Sequence, residues 1–300
     1  MIKVKRLLIA TIILLLWASP AMAQTNYGLS FDYRVDNLQW NIAGNVYGTY
    51  PNILSELTWT DLNIYQLDGF VKTDLEDGCF FYGNLKFGII TSGQNQDSDY
   101  NKNNRTNEYS RSNNDANGDN TLDLSGAFGF NLIQTPTLTI SPMIGYSYNQ
   151  QNLVITNGYQ TIPATGSFSG LHSTYKTEWF GLWVGINLEK ALGSKFKLYN
   201  AVEYHWVDYE ATANWNLRDD LQHPVSFKHT ADGTGYTLST GIDYLYKDYT
   251  TIRFKISYLD WKTDFGIDTT YFVNGSIDQT QLNEVKWDST TFSIAIIKNF

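Results

Sequence analysis

Two short runs bring together side chains able to do chemistry. Asp97-Ser98-Asp99-Tyr100 sets two carboxylates one residue apart, an arrangement that can hold a water between them for attack. Arg218-Asp219-Asp220-Leu221-Gln222-His223-Pro224 supplies further carboxylates beside an imidazole, and an Asp next to a His can orient the ring and fix its tautomer. Asp97, Asp99, Asp219, Asp220 and His223 are therefore the candidate catalytic residues. The second run is unevenly spaced: Asp220 lies three residues before His223 and Asp219 four, with Leu221 between. In an extended segment one extra residue turns a side chain to the opposite face. All four histidines, His172, His205, His223 and His229, read as residues of loops or of loop-side strand ends.

Other chemistries find no support. Neither H-E-x-x-H nor G-x-S-x-G occurs, and Gly166-Ser167-Phe168-Ser169-Gly170 has Phe at the nucleophile position. Asp115-Ala116-Asn117-Gly118-Asp119 begins with calcium-loop spacing, but its glycine is misplaced and Gly126 stands where a bidentate Glu is needed. No cofactor is expected. The single cysteine, Cys79, rules out an internal disulfide framework and reads as a packing residue at a short turn.

The elements that must position the candidate residues are strands. Period-2 alternation recurs from Leu29 onward, with Leu29, Phe31, Tyr33 and Val35 on one face of the first strand. After Asp36-Asn37 the apolar phase shifts to Leu38, Trp40 and Ile42, which reads as a bulge or bend. Further strands are expected near 54–74, 79–90, 122–132, 138–153, 180–188, 196–206, 236–244, 252–258 and 287–300, about ten in all. Between the third and fourth lies Ser92–Asn120, without a single Val, Ile, Leu, Phe or Trp, and so expected to be solvated loop. Short connections alternate with long ones, the pattern of an all-β, ten-stranded antiparallel up-and-down transmembrane β-barrel with long extracellular loops.

The apolar phase should then face lipid, with Tyr146, Tyr148, Tyr204, Trp206 and Tyr258 forming the outer aromatic girdle. The opposite phase mixes Lys72, Lys86, Arg253 and Lys255 with Asp68, Asp123, Glu203 and Asp243, which predicts a lattice of ion pairs in the lumen. A narrow barrel is filled mostly by its own side chains, which argues against a large diffusion pore. Residues 1–23 have the charged head, apolar run and Ala21-Met22-Ala23 site of a secretory signal peptide, which leaves 24–300 for the barrel. The chain carries 21 basic and 30 acidic residues, a balance that argues against nucleic-acid binding. The final run, with Phe292, Ile294 and Ile296 in one phase and a terminal Phe300, is similar to the closing strand of bacterial outer-membrane barrels.

The arrangement resembles the omptin-like superfamily of outer-membrane barrels. Asp97 and Asp99 match in kind and place the Asp-x-Asp pair that omptin proteases carry after the third strand. Ser55-Glu56-Leu57-Thr58-Trp59 is similar to an omptin S-x-L-x-W stretch, and Ile144-Gly145-Tyr146 sits where omptins carry an A-G-Y run. The loop text Asp97-Ser98-Asp99-Tyr100, Arg105-Thr106 and Ser110-Arg111-Ser112 looks closer to the porin-like branch named for the Protochlamydia outer membrane protein. That resemblance implies an integral outer-membrane barrel with a structural, narrow-channel or surface role. The omptin alternative implies an endopeptidase in which Asp97 and Asp99 hold the attacking water and His223 is the base, oriented by Asp219 or Asp220. The implied partners are outer-membrane lipid, lipopolysaccharide, the barrel-assembly machinery acting on the last strand, and a peptide substrate or small solute.

Overall fold

The computed structural model describes residues 24–299. The signal-peptide reading of 1–23 and the terminal Phe300 lie outside the described residues. Alternating side chains build strands β1 (Thr25–Ile42), β2 (Ser55–Asp74), β3 (Cys79–Lys102), β4 (Thr106–Asp115), β5 (Asn120–Phe130), β6 (Ile133–Gln134), β7 (Leu138–Ile162), β8 (Gly166–Ser167), β9 (His172–Ala191), β10 (Phe196–Asn214), β11 (Phe227–Lys247), β12 (Thr250–Thr263), β13 (Gly266–Tyr271) and β14 (Ile277–Asn299). β4 and β5 form one stave, interrupted at Ala116–Asp119, and β12 and β13 form another. The sheet is therefore a ring of ten antiparallel staves, closed by β1 against β14 from Asn26↔Asn299 to Ile42↔Leu282. β6 and β8 are two-residue pieces paired with β7.

The staves are far longer than a bilayer requires. β1 has 18 residues and β7 has 25, whereas about 9–11 cross the hydrocarbon. The polarity of β1 shows where it leaves the lipid. Even-numbered residues point inward along its whole length: Ser30, Asp32, Arg34 and Asp36, then Leu38 and Trp40, are all buried. The register against β14 is unbroken from Asn26 to Asn41, so no residue is inserted in β1 at Asp36-Asn37. The insertion lies instead in the neighbouring strand β2, near Asp61 (φ 52). What changes along β1 is the exterior. Below Asp36 the outer face carries Leu29, Phe31 and Tyr33 toward lipid; above it the outer face carries Asn37 and Gln39 toward water, and the apolar residues turn inward. The inversion marks the membrane edge. Tyr33 and Tyr65 face one another there across β1–β2, as do Tyr204 and Tyr236 across β10–β11.

That inversion corrects the expected loop. Ser92–Asn120 is mostly wall: β3 runs on to Lys102, turns at Asn103–Arg105, and returns as β4. Asn104 and Arg105 adopt left-handed φ of 61° and 57°, and Arg105 is fastened by its guanidinium to Glu56. A strand with water outside needs no apolar outer residue, so its alternation is invisible to a hydropathy reading. The same effect extends β7 to Ile162, β10 to Asn214 and β14 back to Ile277.

The lumen has two zones. The membrane half is ionic, as expected, with Arg253 Nε 2.6 Å from Asp243 Oδ1, Arg34 Nη1 2.9 Å from Asp123 Oδ2, and Lys86 Nζ 4.0 Å from Asp68 Oδ2. The outer half is an aromatic layer of Trp40, Trp59, Trp179, Trp261, Trp287, Tyr175 and Tyr209, all at most 3% exposed. β1 and β9 are the first and sixth of ten staves and so lie on opposite walls. Even so, the Trp40 and Tyr175 rings meet at 5.9 Å, Trp59 stacks on Tyr175 at 5.2 Å, and Trp179 reaches Trp287 at 6.0 Å.

Candidate functional site at the collar rim

Asp97 and Asp99 sit on the extramembrane part of β3, and both face inward. Leu57 of β2 and Ser112 of β4 flank Asp97 across the ladder, and Ser55 and Ser110 flank Asp99. Residues paired in this way share a face, so the Ser55 and Ser110 hydroxyls stand beside the Asp99 carboxyl and favour its charged form. The Trp215 side chain and Arg218 favour the charged form of Asp97, and Arg218 acts on Asp99 as well. Burial first, then the neighbouring Asp99, pushes the Asp97 carboxyl up to about 8. Burial also raises Asp99 and the nearby Tyr109 phenol. At neutral pH the pair therefore holds a proton, because two adjacent, half-buried carboxyls resist joint ionisation.

The second candidate run is built differently from its sequence reading. Asp220 is exposed and takes a two-pronged contact from Arg218, Nε and Nη2 each 2.8 Å away, which holds its carboxyl down at about 2. His223 is exposed, and its Nδ1 lies 2.6 Å from Asn214 Oδ1, so an amide rather than either aspartate orients the ring. Asp219 is exposed on the same connection. The structure thus brings Asp97 and Asp99 together and links them to this run through Arg218 and Trp215. His223 is not among the groups that act on Asp97.

Sequence reasoning missed Trp215 and Arg218, which lie more than a hundred residues from the pair they face and carry no local signal for it. It also missed a buried chain deeper in the collar. His229, on β11 rather than in a loop, is fully buried with Nε2 3.2 Å from Asp268 Oδ1 and Nδ1 2.8 Å from the Tyr175 hydroxyl, which lies 2.7 Å from that of Tyr209. The available signal was its phase, shared with Phe227 and Ala231. His205 is likewise a wall residue, buried between Trp183 and Trp261. Among the described residues no cluster of His, Cys, Asp or Glu is placed to hold a metal ion.

The proton held at Asp97 has a measurable consequence. The carboxyl is raised from near 3.8 to about 8 on folding, so the native collar keeps a proton that the unfolded chain has lost between those values. Stability from this group is complete below pH 4 and lost as pH rises through 8. Amide exchange of the β3–β4 hairpin is expected to show its opening free energy falling between pH 5 and 8.5, and Asp97→Asn should flatten that slope.

The model of one protein family, the Protochlamydia outer membrane protein, matches residues 28–300. The chain belongs to that family. A search of curated proteins found no match. Among solved structures, the outer membrane protease OmpT from Escherichia coli superposes with a TM-score of 0.76 at 13% identity, covering 94% of this chain and 99% of that one. The translocator domain of the autotransporter NalP from Neisseria meningitidis gives a TM-score of 0.40 at 8% identity, covering 94% and 90%. At such identities OmpT shares the fold, not a demonstrated activity. Membership of the Protochlamydia outer membrane protein family and the ten-stave ring make this an integral β-barrel of the bacterial outer membrane, seated in its lipid.

Proposed function

We propose that this member of the Protochlamydia outer membrane protein family is a closed barrel with a structural and surface role, whose working part is the collar held above the outer leaflet. The observation that carries this reading is the contact of aromatic rings from opposite walls, Trp40 and Trp59 with Tyr175. A lumen crossed by packed rings offers no aqueous path, unlike the open interior of wider barrels. Liposomes carrying the refolded protein should swell in small-sugar solutions no faster than empty ones; rapid swelling would overturn the reading.

A second reading, endopeptidase activity, has one specific observation in its favour. Asp97 and Asp99 share a proton at the rim, and such a pair can hold and activate a water. Against it stand the groups that act on Asp97, which are Arg218 and Trp215, while His223 is bonded to Asn214. On the closed-barrel reading, the refolded protein leaves a mixed peptide library uncut. Cleavage abolished by Asp97→Ala and by His223→Ala would establish the protease reading in its place.

A further inference from the structure

The buried chain in the collar is arranged for proton transfer. Asp268 Oδ1 lies 3.2 Å from His229 Nε2 and favours the proton on that nitrogen, which leaves Nδ1 to accept from the Tyr175 hydroxyl at 2.8 Å. Thr270 and Thr280 donate to the other Asp268 oxygen, at 3.3 and 3.2 Å, and hold the carboxylate in place. A carboxylate behind an imidazole also stabilises the imidazolium formed when the ring takes a proton. Burial pushes the Tyr175 phenol well above its ordinary value, so the resting phenol keeps its proton. Yet Tyr175 and His229 are 0% exposed and Asp268 is 2% exposed, so no substrate reaches them. Electrons can, because the chain is set in a continuous layer of rings.

Trp59 stacks on Tyr175 at 5.2 Å, and Trp40 stands edge-on to His229 at 4.8 Å. Tyr209, whose hydroxyl meets that of Tyr175, packs on Trp179 at 4.4 Å, and Trp179 lies 6.0 Å from both Trp261 and Trp287. At the rim the half-buried Trp215 lies 4.7 Å from Phe227, which lies 6.3 Å from Tyr175. The indole N–H groups of Trp40, Trp59, Trp179 and Trp261 are buried without an acceptor among the described residues. Buried polar atoms in native proteins are nearly always satisfied, and each exception calls for an explanation. An oxidised indole is trapped in place when its N–H proton can leave; with no acceptor, these rings pass the electron vacancy on. Trp287 has an acceptor, Asp36, at 3.1 Å, but Arg34 and Gln151 already engage that carboxylate. Tyr175 has an imidazole at its hydroxyl, and there the vacancy comes to rest.

We propose that Tyr175 is a one-electron redox site, fed through the tryptophan layer and coupled to proton transfer to His229. An oxidising radical that meets the collar takes one electron from the layer and is reduced. The vacancy passes from ring to ring to Tyr175. Its O–H bond breaks, the proton moves to His229 Nδ1, and the products are a neutral tyrosyl radical and an imidazolium beside the Asp268 carboxylate. Tyr209 has no base of its own, since its hydroxyl meets only that of Tyr175. The site gives the collar a second use, as a donor of electrons to oxidants at the cell surface. This goes beyond the closed-barrel reading and does not rest on it.

The test is flash photolysis of the refolded, detergent-solubilised barrel. Tryptophan is excited with chloropentaamminecobalt(III) as an irreversible one-electron acceptor, and radicals are followed by absorbance and electron paramagnetic resonance. The expected result is a tryptophan-radical signal that decays as a tyrosyl signal grows, with slower growth in heavy water because the O–H proton moves with the electron. Tyr175→Phe, which keeps the ring against Trp59, should cut the tyrosyl yield at least tenfold, whereas Tyr209→Phe should retain it. His229→Gln combined with Asp268→Asn removes the base and the carboxylate behind it together, and should match the loss in Tyr175→Phe while keeping the gel mobility of the folded barrel. A tyrosyl signal undiminished in Tyr175→Phe would place the radical on another tyrosine and overturn the proposal. So would tryptophan radicals that decay without tyrosyl growth, or equal growth in light and heavy water. The last two readouts use the unaltered protein and stand even if a variant fails to fold.

Discussion

Arg34→Met is expected to be among the most damaging single substitutions in this barrel, costing roughly 3–5 kcal/mol. The Arg34 side chain is buried, chelates Asp36, reaches Asp123 at 2.9 Å, and lies 5.2 Å from the Trp287 ring centre. Asp36 in turn accepts from Gln151 Nε2 at 2.7 Å and Trp287 Nε1 at 3.1 Å. Removing the guanidinium leaves two buried carboxylates facing each other without a cation. Urea titration followed by the gel-mobility change of the folded barrel would read the loss. Converting Asp36 and Asp123 to Asn in the same variant should recover most of it, because the penalty arises from the uncompensated charges. Recovery failing in the triple variant would mean that Arg34 acts through packing.

The second large effect concerns the aromatic layer. Tyr175 and Trp179 both project from β9, where they meet Trp40, Trp59 and Trp287 from the other side of the lumen. Replacing both by Ala removes the rings that bridge the walls and should turn a silent barrel into one that passes ions in discrete steps. Each truncation also costs about 3–5 kcal/mol of packing, so the variant must first be shown to keep folded mobility. The ten-stave hydrogen-bonded ring supports it through that loss. A folded variant that stays silent would move the seal to the ionic waist around Arg34 and Asp123.

The legibility of this chain followed its solvent. Wherever lipid lies outside, Leu29-Phe31-Tyr33 or Phe292-Ile294-Ile296 alternate with polar residues, and strand, face and girdle were readable. Above the membrane edge the exterior is water. Leu38 and Trp40 then looked like a phase error although β1 is regular, and Gln94–Asp115 looked like loop although it is wall. The site divided in the same way. Asp97 and Asp99, two apart on one strand, are brought together by local geometry alone and could be read directly. Their neighbours Trp215 and Arg218 come from a connection between distant staves. His223 was present in the text, but its partner proved to be Asn214, nine residues earlier. The His229–Asp268 contact depends on β13 pairing with β11, which no local pattern encodes.

The measurement closest to the central claim is electrical. Single molecules of the unaltered protein, refolded and inserted into a planar bilayer, should give a flat baseline in molar salt at moderate voltage. Insertion itself can be verified by protease accessibility of the collar. Discrete, steady conductance steps from the unaltered protein would show an open aqueous path through the layer of Trp40, Trp59, Tyr175 and Trp179, and would contradict the closed-barrel account.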